Sequence, residues 1–91
     1  MNAVAEEIRA LGAAGKYEEA YVVAKKALEQ DPNNESIIGS FRTVTGRLRG
    51  RCLDLASNKD TEFSDELSEN EALLRKMIAV AQEDMFGRPA T

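Results

Sequence analysis

The side chains best suited to chemistry sit in the run GSFRTVTGRLRGR, residues 39–51, where Arg42, Arg47, Arg49 and Arg51 are interleaved with Gly39, Gly46 and Gly50. Guanidinium groups at this density can hold phosphate or carboxylate oxygens, and a glycine-rich loop could wrap an anion. A phosphate-cradling loop also needs a lysine closing the glycine run and a strand before it; GRLRGR has neither. Glu66 and Glu69 form a carboxylate pair that could in principle do acid–base work, but acids near a helix start are usually solvated. The chain has one cysteine, Cys52, and no histidine. The usual zinc ligand sets cannot be assembled from it, nor can a Ser–His or Cys–His nucleophile pair. The expectation is a protein that is not an enzyme, with no cofactor, no metal and no small-molecule substrate.

What positions the arginines decides what they do. Suppose residues 35–57 are one helix, at about 100° per residue. Ile37, Phe41, Val44, Leu48, Cys52 and Leu55 then share one narrow stripe, at spacings of 4, 3, 4, 4 and 3, which suits a helix-packing seam. Gly39, Gly46 and Gly50 fall on the opposite side, with Thr43 and Ser57 near them. Arg42 and Arg49 border the stripe on one flank, Arg47 and Arg51 on the other. The arginines are thus split by an apolar seam, and no aromatics interleave them as stacking platforms. This weighs against a nucleic-acid surface built from Arg42, Arg47, Arg49 and Arg51, which stands as the alternative function. Each glycine in an exposed helix interior costs about 1 kcal/mol relative to alanine. Their clustering on one side suggests a contact face, pressed against the N-terminal helices or against a second copy of the chain. A break near Gly46–Gly50, giving two shorter helices, is the rival.

Composition supports helices throughout. The 91 residues allow one domain; apolar residues make up 43% of the chain, and aromatics only 5%. Alanine-rich, aromatic-poor cores suit closely packed helices, and runs of alternating β-branched residues are absent. The net charge of −4 does not suit phosphate backbones. No segment reaches bilayer-spanning length. The start MNAVAEEIRAL carries two glutamates where a secretory signal needs an apolar run, so the chain reads as cytoplasmic.

Residues 3–14 place Val4, Ile8 and Leu11 on one helical stripe, and Gly12 and Gly15 then punctuate the chain. A second helix is expected from Tyr17 to Gln30, with Tyr17, Ala20, Tyr21, Ala24, Ala27 and Leu28 as its stripe. It stops at Asp31-Pro32-Asn33-Asn34, with Pro32 starting the next element. The wording GKYEEAYVVAKKALEQDPNN resembles the second helix of a tetratricopeptide repeat, through Gly15, Tyr17, Ala20, Ala27, Leu28 and Pro32 at that family's spacing. The first helix departs from the pattern at Val4, Ile8 and Leu11, and Ala24 replaces the usual aromatic. Ala5 and Arg9 stand where some members carry a carboxylate-clamping lysine and asparagine, so that activity does not carry over. The resemblance covers residues 1–34. It implies a helical hairpin and a role in protein–protein contacts.

Ser68 followed by Glu71 is a capping-box signature. It predicts a last helix from there to Phe86, stopped by Gly87 and Pro89, with a turn or long connection before it that has room for a short helical turn around Phe63–Leu67, and residues 88–91 as a tail. Its stripe of Leu73, Leu74, Met77, Ile78, Val80, Ala81 and Met85 is too wide for one neighbour. Seven acids between Glu62 and Asp84, against Arg75 and Lys76, complement the basic third helix and favour an antiparallel pair.

The expected architecture is therefore all-α with four helices. A tetratricopeptide-like hairpin, residues 1–34, precedes a longer antiparallel pair within residues 35–87. The expected function is non-catalytic: an adaptor, scaffold or chaperone-like module that binds another protein or a second copy of itself, with no nucleic acid and no membrane. Gly39, Thr43, Gly46, Gly50, Met77, Val80 and Met85 are the candidate contact residues.

Overall fold

The computed structural model describes residues 3–57 and 64–81, which form four helices: α1 (Ala3–Ala13), α2 (Tyr17–Gln30), α3 (Glu35–Ser57) and α4 (Ser64–Ala81). The fold is all-α. Met85, the stop at Gly87 and Pro89, and the tail lie outside the described residues.

Gly15 shapes the corner between α1 and α2. Its φ is +77°, a conformation that a Cβ would strain. In this geometry the Lys16 amide reaches back to the Leu11 carbonyl at 2.8 Å, and the Gly15 amide reaches the Gly12 carbonyl at 3.1 Å. These two bonds are the Schellman closure of a helix C-terminus. α2 begins with no side-chain cap at Lys16; Glu18 and Glu19 in its first turn answer the positive end of the helix instead.

The corner between α2 and α3 is built by Asn34 more than by Pro32. The Asn34 side-chain carbonyl accepts the Ile37 amide at 3.2 Å, and its amide group donates to Asp31 Oδ2 at 3.0 Å. Asn34 is therefore the N-cap of α3. Pro32 lies in the turn and does not start the helix.

α3 is a single unbroken helix of 23 residues, roughly 35 Å long at 1.5 Å per residue. It packs against α1, α2 and α4, which makes it the centre of the fold. All six residues of the expected seam, from Ile37 to Leu55, are buried. The buried face is wider than that seam, because Ser40 and Thr45 are also fully buried. Their hydroxyls donate to the carbonyls one turn back, at 2.8 Å on Ser36 and 2.8 Å on Phe41. This satisfies each hydroxyl inside the helix, so burying it leaves no polar group unpaired.

Phe41 is the largest fully buried side chain. It packs among Ile8, Ala20, Ala24, Val44, Leu48 and Met77, and its ring lies 6.4 Å from that of Tyr21. The alanines of α2 allow the close approach. One close approach involves Gly12, which lies within α1 and is buried. A Cβ built there would stand 2.5 Å from Val44 Cγ2.

α4 starts at Ser64, four residues before the expected Ser68, so the capping-box pair Ser68 and Glu71 lies inside the helix. Two interactions account for the earlier start. Asp65 and Glu66 occupy the first turn, where acids favour the helix dipole, and Leu67 packs against the core. α4 runs antiparallel to α3, with an arginine reaching it at each end. Arg51 donates to Glu66 Oε1 from Nε at 3.1 Å and from Nη2 at 2.8 Å, and Arg42 Nε donates to the Ala81 carbonyl at 2.9 Å. Glu66 raises the Arg51 pKa above its usual value, first through the hydrogen bond and then through its charge. The pair is exposed, so water screens most of its strength. Glu66→Gln is expected to leave the melting temperature almost unchanged in a thermal melt. Among the described residues no helix is long and apolar enough to cross a membrane.

Candidate functional site

The candidate contact residues fall into two places. Gly39, Thr43, Gly46 and Gly50 lie along the outer edge of α3. The half of the contact-face expectation that set them against the N-terminal helices is not met. A Cβ at Gly39 or Gly50 would find no atom within 4 Å, and at Gly46 only Arg49 Nη1 at 3.9 Å. Helices α1, α2 and α4 all lie over the other side of α3, leaving this edge outside the bundle. Thr43 is exposed, and its hydroxyl donates to the Gly39 carbonyl at 3.0 Å. Beside this edge stands Leu53, the more exposed of the two exposed large apolar side chains among the described residues, at 64%.

Met77 and Val80 are elsewhere, on α4. Met77 has no exposure at all and belongs to the core. Val80 is half-buried against the same core. The wide stripe of α4 has two neighbours within the chain, α3 and α2, and they take up Leu74, Met77 and Ala81.

The four arginines do not make one basic face. Arg42 and Arg51 are turned onto α4. Arg49 is half-buried beside Gly46, and Arg47 is exposed. Cys52 is buried in the seam. Burial, and to a smaller degree Glu71, pushes its thiol pKa up, so the nucleophilic thiolate is suppressed. A thiol reagent is expected to modify Cys52 slowly in the native state and at the free-thiol rate in denaturant, a contrast that intact-mass spectrometry would record. The raised pKa also has a pH consequence. Between the ordinary thiol pKa, about 8.5, and the higher native value, the unfolded chain has released a proton that the folded chain retains. The contribution of Cys52 to stability is therefore full below that range and falls as pH rises through it. Among the described residues no group of three or more acidic or cysteine side chains is placed to hold a metal ion.

A concave feature lies among the described residues. An open groove of about 930 Å³ lies between the α1–α2 corner, the outer side of α2 and the N-terminal half of α4. Leu11, Tyr17, Val22, Val23 and Leu73 give it an apolar lining. Four of these are half-buried, and Val22 is 48% exposed. Glu7, Glu18, Glu19 and Glu69 stand around them, with Lys16 and Lys76 as the only cationic members among the described residues.

None of the described residues expected to make contacts lines this groove. It is assembled from three helices that are distant in sequence. Two signals pointed toward it. Val22 is an apolar residue opposite the stripe of α2, and Leu73 widens the stripe of α4 beyond what α3 can cover. Comparison with protein-family models, curated proteins and solved structures found no match to this chain.

Proposed function

We propose that the chain is a non-catalytic interaction module, an adaptor, scaffold or chaperone-like protein that binds another protein through a helical surface in the cytoplasm. The observation that carries this reading is the open groove with its apolar lining, where Val22 remains 48% exposed after the fold has closed its core. An apolar trough between helices is a shape that can take the apolar face of a partner. The resemblance of residues 15–32 to a tetratricopeptide second helix points the same way. The lone, buried Cys52 fits a reducing compartment.

The test is cross-linking of the chain in its native extract, comparing wild type with Val22→Glu. The substitution adds charge at an exposed position, so circular dichroism should show an unchanged fold. A protein captured by wild type and lost from the variant, then reproduced with purified components, supports the reading. Equal capture by both rejects the groove as the binding surface.

Association of two copies along the outer edge of α3 is a second reading, favoured by Leu53 standing exposed beside that edge. Light scattering should then give a dimer mass for wild type and a monomer mass for Gly46→Leu, with the helix content of both unchanged. A monomer mass for wild type at high concentration rejects it.

A further inference from the structure

The charge around the groove narrows what can occupy it, an inference that rests on the interaction reading above. Four carboxylates face two ammonium groups. Glu18 and Glu19 sit in the first turn of α2, where the helix dipole accounts for acids. Glu7 and Glu69 lie in the interiors of α1 and α4, where the dipole gives no reason for them. None of the four is held in an ion pair among the described residues. All four are exposed. The chain as a whole carries a net charge of −4, so its long-range field and the local rim have the same sign.

The walls are helices, and among the described residues there is no strand edge to which a β-strand could add. An apolar trough between helices is complementary to the face of another helix, read as anchors at i, i+3, i+4 and i+7. Charge on the flanks then selects the partner and raises its association rate more than it adds affinity. The groove is open along its outer side, as suits a surface-lying helix rather than an enclosed small molecule, whose sites bury most of the ligand.

We infer that the groove takes an amphipathic helix of a partner protein. The apolar face of that helix lies on Leu11, Tyr17, Val22, Val23 and Leu73, and lysines or arginines along its flanks face Glu7, Glu18, Glu19 and Glu69. Binding is selective for a basic flank and weakens as salt is added, because the rim charges are exposed and screened.

The experiment uses the full chain and two synthetic capped peptides of about 18 residues, long enough to be helical on docking. Both carry leucines on one helical face. One has lysines on its flanks, the other glutamates. Affinity is measured by isothermal titration at low and high salt, and the site is mapped by amide chemical-shift changes.

The lysine peptide is expected to bind about tenfold tighter than the glutamate peptide at low salt. Shifts should centre on Leu11, Val22 and Leu73. The preference should shrink at high salt and reverse in a Glu7→Lys, Glu69→Lys double variant. Equal binding of both peptides at the groove overturns the basic-partner inference and leaves the interaction reading standing. Shifts that centre on α3 place the binding elsewhere and overturn the inference. A titration of the chain against itself that produces the same shifts makes a second copy the occupant, which also overturns it. Binding of neither peptide overturns it outright, while the cross-linking comparison with Val22→Glu still decides the interaction reading by itself.

Discussion

Replacing Gly39, Gly46 and Gly50 together with alanine is expected to raise the free energy of unfolding by about 2–3 kcal/mol. The three positions lie within one continuous helix, and added methyl groups would meet nothing closer than 3.9 Å. Steric cost is therefore absent. What remains is the backbone freedom that glycine gives the unfolded chain and alanine does not. For a domain of this size the gain corresponds to a rise in melting temperature of roughly 10–20 °C, measurable by calorimetry. A fall in stability would mean that the outer edge of α3 is occupied in the free chain. If two copies meet along that edge, the same variant should be more stable as a monomer and weaker as a dimer. Light scattering across a dilution series separates the two effects.

The same substitution at Gly12 is expected to have the opposite sign. Alanine there gains about 1 kcal/mol of helix propensity, but its Cβ would stand 2.5 Å from Val44 Cγ2, 3.1 Å from Cγ1 and 3.2 Å from Cβ. Val44 has no exposure, and a β-branched side chain in a helix has essentially one rotamer. It cannot swing clear, so α1 or α3 must shift. Overpacking of this kind costs about 1–3 kcal/mol, and the net loss for Gly12→Ala, after the gain in propensity, should be about 0–2 kcal/mol. Val44→Ala supplies the control. It opens a cavity by itself, yet in the Gly12→Ala background it relieves the clash. Urea denaturation of the four proteins should therefore give a favourable coupling between the two changes. Additive effects would mean that the α1–α3 crossing is looser than 2.5 Å implies.

These two expectations show where the sequence was legible and where it was not. The seam of α3 could be read directly. Six apolar residues at spacings of three and four leave little choice of helix face, and a continuous helix satisfies all of them. The Gly15 corner could be read for the same local reason. The purposes of the other glycines could not. Gly12 looked like punctuation and lies against Val44 of α3, whereas Gly39, Gly46 and Gly50 looked like contact points and face away from the bundle. Glycine carries no side chain whose polarity reveals its surroundings, so its role depends entirely on which helix comes near.

The start of α4 was displaced by a similar effect. Ser68 and Glu71 match a local capping pattern, but the first-turn acids Asp65 and Glu66 and the core beneath Leu67 favour a start at Ser64. The groove was least legible of all, since Leu11, Val22 and Leu73 come from three elements, and only their assembly makes a lining.

The position of α3 along the chain has a consequence during synthesis. Ile8, Ala20 and Ala24 find their apolar cover on Phe41, Val44 and Leu48, which leave the ribosome later. At about 5–20 residues per second, translating the stretch from Gln30 to Leu48 takes roughly 1–4 s. Through that interval the nascent α1–α2 segment has oily surface and no place to bury it. A holding factor that recognises short apolar helices would find its opportunity in those seconds and lose it once Leu48 emerges.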